Sequence, residues 1–202
     1  MKFLSKLRRV RWIYSGRRKI KKQICALTID EKLKLVVGSG GTSYPGWIAT
    51  DLPHFDITKE SDWIYFFLKH KIDNLLAEHV LEHLAEQEVR NVMEFSFRFV
   101  RHGGNFRIAV PDGYNRDPLY IDNVSPSGRL GSIYGHKFLW NYRSLGRIAS
   151  SAGWKTSILE YFDEDGIFVS NSFSLDNGLI ERSSRGTSVN PELSLLIDCA
   201  KE

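Results

Sequence analysis

The chain has 202 residues, 42% hydrophobic and 26% charged, enough for one domain with a sizeable core and hardly for two. No run approaches about eighteen apolar residues, which excludes a membrane-spanning helix. The two cysteines, Cys25 and Cys199, lack the spacing of a disulfide framework or zinc ribbon and suit a reducing, cytoplasmic compartment. The net charge of +4 conceals an asymmetry: residues 1–30 carry ten Lys and Arg against Asp30 alone, while the remainder holds 18 basic and 23 acidic residues. The basic character therefore belongs to the N-terminal segment, not to the folded body.

In chain order, Phe3, Leu7, Val10 and Tyr14, then Ile20, Ile24 and Leu27 after Gly16, recur at helical spacing. They predict two basic amphipathic segments, an extension spanning 1–28 ahead of a domain spanning 29–202. The basic N-terminus lacks the continuous apolar stretch of a secretory signal. It is expected either to pack on the domain or to touch a membrane surface peripherally. No nucleic-acid partner is expected.

Leu33, Leu35, Val36 and Val37 predict a buried strand that stops at Gly38-Ser39-Gly40-Gly41, and a second short run, Trp47 to Thr50, ends on Asp51. A strand, a glycine turn and a strand tipped with an acid suit a nucleoside. Glycine lets backbone approach the ligand, and the acid accepts from ribose hydroxyls. A plain tight turn is the alternative. Only Thr42 to Trp47 separate the glycines from Ile48, whereas a crossover between parallel strands normally needs about a dozen residues and a helix. The first crossover helix is expected to be missing or reduced.

A helix is predicted over Lys59–Lys69, a strand over Ile72–Ala77, a long helix from Val89 through Phe99 closing at Gly103-Gly104, and a strand over Asn105–Val110. Alternation of strands and helices argues a largely parallel sheet. Residues 113–142 are expected to be an irregular, functional loop, a mobile lid for which His136 would be delivered as base or orienter. Then come a helix over Arg143–Ala152, strands over Trp154–Phe162, Phe168–Phe173 and Leu193–Cys199, and a polar hairpin excursion over 176–191.

Taken together, VVGSGG, Asp51, IDNLLAEHVLEHL and VRHGGNFRIAVPD resemble the successive motifs of class I S-adenosylmethionine (SAM)-dependent methyltransferases. GHKFLWNYRSLGRIASSAGW, NGLIERSSR and LSLLIDCAKE resemble one branch of them, small bacterial proteins found among surface-polysaccharide genes. The resemblance covers about residues 30–202. It implies an α/β, Rossmann-like methyltransferase sheet, mostly parallel with an antiparallel C-terminal strand, and a SAM cofactor. It places Gly38, Ser39 and Gly40 against the methionine part, Asp51 on the ribose, and Asp56 with Ile57 by the adenine. Ala77, Glu78 and His79 would line the pocket floor. The acceptor it implies is a small molecule or saccharide hydroxyl.

Asp112, just past a strand's carboxyl end, His136 and Tyr142 are the candidate catalytic residues; the alternatives are a turn acid, a loop anchor and a buried aromatic. Arg182 and Arg185 could meet an acidic substrate. His79-Val-Leu-Glu82-His83 also matches H-x-x-E-H, which would hold zinc if both histidines lay one turn apart on a helix. The segment starts directly after a strand, so no metal is expected. Two other readings compete. One is a non-catalytic methyltransferase-fold module docked by its basic tail. The other is a nicotinamide-binding Rossmann protein, disfavoured because no G-x-G-x-x-G opens a helix here.

Overall fold

A computed structural model of the chain describes residues 2–186 and 194–202, with side chains described from residue 8 onward. The elements are α1 (Lys2–Ala26), β1 (Lys34–Val37), β2 (Ile48–Ala49), α2 (Glu60–Phe67), β3 (Ile72–Glu78), α3 (Glu86–Phe99), β4 (Val100–Pro111), α4 (Pro118–Val124), α5 (Gly131–Tyr134), α6 (Tyr142–Ser151), β5 (Lys155–Phe162), β6 (Phe168–Ser170) and β7 (Ser194–Ala200). Short 3-10 turns lie at Leu81–His83 and Leu175–Asn177. One seven-stranded sheet has the order β2-β1-β3-β4-β7-β5-β6. Strands β2, β1, β3 and β4 run parallel, and β7 is antiparallel to both β4 and β5. This is the expected architecture, including the reduced crossover. β1 and β2 pair in parallel with no helix between them, possible because β2 is only two residues long.

The periodicity of the strands separates two cores. Leu35, Val37, Leu75, Phe106, Ile108 and Ile197 face one layer, where α2, α3 and α6 supply Trp63, Phe67, Val92, Met93, Leu145 and Ile148. Val36, Leu76, Ala109 and Leu196 face the other, which among the described residues has no α-helix layer and is covered by Tyr44, Trp47, Phe173 and Ile180. On that second face the fully buried Arg107 donates through Nε and Nη2 to Asp198, both at 2.7 Å. Its Nη1 donates to the carbonyls of Ser174 at 2.9 Å and Gly178 at 2.5 Å.

Four features differ from the sequence reading. The N-terminus is one helix and not two, because Gly16 continues α1. A Cβ there would sit 2.1 Å from His54 Cδ2, so this glycine permits close packing instead of a break. α3 passes into β4 at Val100 with no closing loop, and Gly103-Gly104 fall inside that strand. Residues 113–142, read as irregular, carry α4 and α5. The helical start at Asp117-Pro118 is local, since Asp117 caps Leu119 N at 2.9 Å and Pro118 occupies the first turn, where no amide donor is needed. The strand predicted to reach Phe173 stops at Ser170. The predicted start of the last strand at Leu193, the part of the polar excursion beyond residue 186, and the side chains of Phe3 and Leu7 lie outside the described residues.

α1 is not a detached tail. Ile20 and Ile24 are buried in the main core, Arg17 pairs with Asp62 at 2.9 Å, and the Trp12 and His54 rings meet at 4.5 Å. Its outer face remains exposed around Arg8, Arg9, Val10 and Arg11. Ile24→Ala should therefore lower unfolding free energy by about 2–5 kcal/mol. A chain beginning at residue 29 should unfold at lower urea concentration than the full protein. Urea unfolding of both would check this; unchanged midpoints would show that α1 contributes no stability.

Candidate functional site

The carboxyl ends of the parallel strands carry the site. After Val37 the chain turns through Gly38 with φ of 61°, where a Cβ would meet Val80 Cγ2 at 2.5 Å; a side chain fits neither the backbone angle nor the space. Asp51 locks this turn. Its Oδ2 accepts from Gly40 N and its Oδ1 from Leu52 N, each at 2.8 Å. A carboxylate offers about four acceptor positions, so two remain for ligand hydroxyls. Thr50 N donates to Val36 O and Ser39 N to Thr50 O, which fastens the glycine turn to the end of β2.

Three clefts meet here, and His79 lines all of them. His79 is the one non-glycine residue with positive φ, 54°, among those described. Such strain persists where surroundings over-determine it and is common at functional sites. Its N–H donates to Ala109 O at 2.9 Å, and its Nε2 lies 2.9 Å from Ser194 Oγ. The first cleft, about 210 Å³, runs over Gly38, Ser39, Gly40, Tyr44 and Glu78. Glu78 accepts the backbone N–H groups of Glu181 and Arg182 at 3.3 and 3.0 Å, so the covering segment is tied to the groove. The Tyr44 hydroxyl has no hydrogen-bond partner among the described residues, and burial pushes its pKa up to about 12.

The second cleft, about 310 Å³, lies on the other side of the glycine turn, between Asp51 and the apolar Phe55, Ile57, Val80 and Leu84. Asp56 lines it too, with its carboxylate accepting from Thr58 and paired with Lys59 at 2.9 Å. Burial would raise its pKa, but the hydrogen bonds from Lys59 and Thr58 outweigh this and hold it below the usual carboxylate range. Ala77, expected on the pocket floor, is fully buried near the end of β3 in the main core and lines none of the three clefts.

The third cleft, about 400 Å³, continues from His79 to Glu82, His83, Tyr120, His136 and Arg182. His136 belongs here because its loop is fastened to the turn after β3: Lys137 N and Phe138 N both donate to Glu82 O, at 2.7 and 3.3 Å. Its Nδ1 bonds Val124 O at 2.7 Å, and its ring lies 4.9 Å from that of His83. Glu78, His79 and His136 are thus brought to one connected depression with Gly38, Ser39, Gly40, Asp51 and Asp56.

Asp112 and Tyr142 are not on its walls. Asp112 is fully buried at the end of β4, its oxygens accepting Tyr114 N and Phe162 N at 2.9 and 2.8 Å. Burial pushes its pKa up to about 6 against those two donors. Tyr142 starts α6, where its hydroxyl donates to Glu164 at 2.6 Å. Arg185 Nη1 donates to Phe173 O, and its Cζ stands 5.0 Å from the Phe173 ring centroid. The H-x-x-E-H helix does not form. Leu81–His83 is a single 3-10 turn, and His79 sits before it in the left-handed region, so its ring is not one helical turn from His83. Tyr44 escaped the sequence reading, because nothing in its neighbours' pattern marks a loop residue that folds back over a sheet.

No protein-family model and no curated protein sequence matches the chain. Solved structures do match its fold. A SAM-dependent methyltransferase, possible histamine N-methyltransferase, from Thermotoga maritima aligns with TM-score 0.51 and 10% identity over 100% of this chain and 97% of that one. An O-methyltransferase family protein from Burkholderia thailandensis aligns with TM-score 0.51 and 12% identity, covering 92% of this chain and 56% of that one. The CurJ carbon methyltransferase aligns with TM-score 0.50 and 13% identity, covering 91% and 52%. The chain thus spans nearly all of the first and about half of the other two. At such identities the likeness is one of fold, and that fold is the Rossmann-like sheet of SAM-dependent methyltransferases.

Proposed function

We propose that the protein is a SAM-dependent methyltransferase whose acceptor is the hydroxyl of a small molecule or saccharide. The observation that carries this is the continuity of the three clefts around His79. The glycine turn with Asp51 offers a nucleoside site, and the histidine-lined cleft opens from the same residue. Methionine would lie over Gly38, Ser39 and Gly40, ribose on the free lone pairs of Asp51, and adenine against Phe55, Ile57 and Leu84. Glu78 and His79 would form the floor. Bound SAM would supply the activated methyl group, its sulfur keeping the C–S pair as the acceptor oxygen bonds to carbon, and the hydroxyl proton would pass to His136. The sulfonium is already activated, so the protein aligns acceptor and methyl, excludes water and assists the proton's departure through His136. The solved neighbours' printed names span nitrogen, carbon and oxygen methylation, so the hydroxyl assignment rests on the polar, histidine-bearing cleft and on the motif resemblance.

A second reading has one observation of its own. Val10, Trp12 and Tyr14 are exposed on α1 among Arg8, Arg9 and Arg11, a surface that suits an anionic membrane or partner. It can accompany catalysis or, if the groove takes no cofactor, replace it.

Calorimetry with S-adenosylhomocysteine separates the two. Wild type should bind, and Asp51→Ala should weaken binding about 10- to 150-fold, the loss of hydrogen bonds worth about 1.5–3 kcal/mol. Absence of heat with wild type would favour the docking module.

Asp112→Asn provides the contrast. Its side-chain amide would face one of the two backbone donors, so unfolding free energy should drop by about 1–3 kcal/mol near pH 4 and by less at neutral pH, while homocysteine-ligand affinity is unchanged. The fold raises this carboxyl's pKa to about 6, so it favours the proton. The stability Asp112 contributes is therefore fully present below the ordinary carboxylate pKa of about 4 and is lost as pH rises to about 6. Urea titrations across pH 4–7 should show this slope in wild type and not in Asp112→Asn.

A further inference from the structure

Glu82 is only 1% exposed, and neither of its carboxylate oxygens receives a hydrogen bond among the described residues. His79 Nδ1 lies 3.1 Å from its Oε1 without hydrogen-bond geometry. A buried carboxylate with no donor is costly unless a cation faces it. Two imidazoles stand at the same place. The ligating atoms of Glu82, His83 and His136 all lie within 4.8 Å of one another. Two donors on one tetrahedral metal, with bonds of about 2.0–2.2 Å, stand about 3.3–3.6 Å apart, so side-chain shifts of up to about an ångström would close the set.

The surroundings prepare these groups for a metal. His136 Nδ1–H donates to Val124 O at 2.7 Å, which leaves Nε2 as the lone-pair nitrogen and orients the ring, as a backbone carbonyl does behind a metal-bound histidine. The two chain segments cannot drift apart, because Lys137 N and Phe138 N are bonded to the Glu82 carbonyl. The set lines a cleft of about 400 Å³, so further coordination positions open to solvent and substrate.

We propose that Glu82, His83 and His136 bind a divalent transition-metal ion. Two imidazoles and one carboxylate suit Zn²⁺, Co²⁺ or Mn²⁺ better than Mg²⁺, which prefers oxygen donors. The pair of histidines is His83 with His136, not the His79 and His83 of the H-x-x-E-H spacing, and this departs from the absence of a metal expected from the sequence. The ion's catalytic role rests on the methyltransferase reading above. It would take the acceptor oxygen into an open position and lower the hydroxyl's pKa. The proton passes to water in the open cleft, the oxygen forms its bond to the methyl carbon, and the sulfur keeps the C–S pair. His136 is then a ligand instead of a free base, and acceptors with two adjacent oxygens, such as vicinal diols, are favoured because both can reach the metal.

The test is direct metal binding. Full-length protein is stripped with chelator, then dialysed separately against Zn²⁺, Co²⁺, Mn²⁺ and Mg²⁺ and analysed for metal content, with the visible absorption of the Co²⁺ form recorded. One equivalent of Zn²⁺ or Co²⁺ is expected, with a Co²⁺ band that reports imidazole ligation, and weaker uptake of Mg²⁺. Glu82→Gln and His136→Ala should each weaken binding at least about 100-fold, the loss that even a change behind the ligands can reach. His136 lies on the cleft wall, so His136→Ala carries the test if the buried Glu82→Gln fails to fold. Less than a tenth of an equivalent bound by folded wild type, or unchanged uptake in His136→Ala, would overturn the site. Titration of the same samples with S-adenosylhomocysteine keeps the two ideas separate: homocysteine-ligand binding without metal removes only the metal site, and metal without homocysteine-ligand binding supports the site while removing the methyltransferase reading.

Discussion

The buried ion pair between Arg107 and Asp198 sits where the parallel half of the sheet meets the antiparallel half, the two residues facing each other across β4 and β7. A guanidinium removed from water must have its donors satisfied, and Asp198 cannot take them all. The carbonyls of Ser174 and Gly178 accept from Nη1, and Phe173 lies against the guanidinium at 5.1 Å. The demand of one charge thus pins an irregular segment over a sheet face that has no α-helix layer among the described residues. Breaking such a pair by removing one partner typically costs about 3–5 kcal/mol, because the other charge is left buried alone.

From that pin the same segment runs on to the site. Ser184 N donates to the buried Glu160 at 2.9 Å, and the amides of Glu181 and Arg182 donate to Glu78. Arg182 therefore reaches the edge shared by two of the clefts, with Nη1 3.5 Å from His79 Nδ1. One wall of the candidate cofactor groove is built by a loop, and that loop depends on satisfaction of buried charge more than on any propensity of its own residues.

The opposite wall depends on the shortness of the first crossover. With no helix between β1 and β2, this crossover offers no helix N-terminus to favour an anionic group. Asp51 takes over the organising work by holding Gly40 N and Leu52 N. α1 packs beside β2 and against the turn after Asp51, through Trp12 on His54 and Arg17 on Asp62 and the His54 carbonyl. The basic N-terminal segment thereby supports the nucleoside side of the site, while its outer face stays free.

The sequence by itself determined the alternation of strands and helices outside α1, α4 and α5, the glycine turn with its acid, and the missing crossover helix. These rest on local features: apolar runs of strand length, glycines at a strand end, and too few residues for a helix between Gly41 and Ile48. The end of α6's predecessor loop was equally local, since Asn141 and Ser144 bond each other's backbone in a capping box. Tertiary structure alone decided the rest. Gly16 reads as a break in sequence but is a packing contact with His54, thirty-eight positions away. His79-Val-Leu-Glu82-His83 has the spacing of a metal-binding helix, yet at the end of β3 His79 takes positive φ beside Glu82, and the ring that meets His83 is that of His136. Asp112 stands at a strand end like a catalytic acid, but the amide of Tyr114, two residues on, and that of Phe162, brought by β5, take its carboxylate oxygens. Spacing records which side chains a single element can align; which groups meet across elements depends on the packing of the whole sheet.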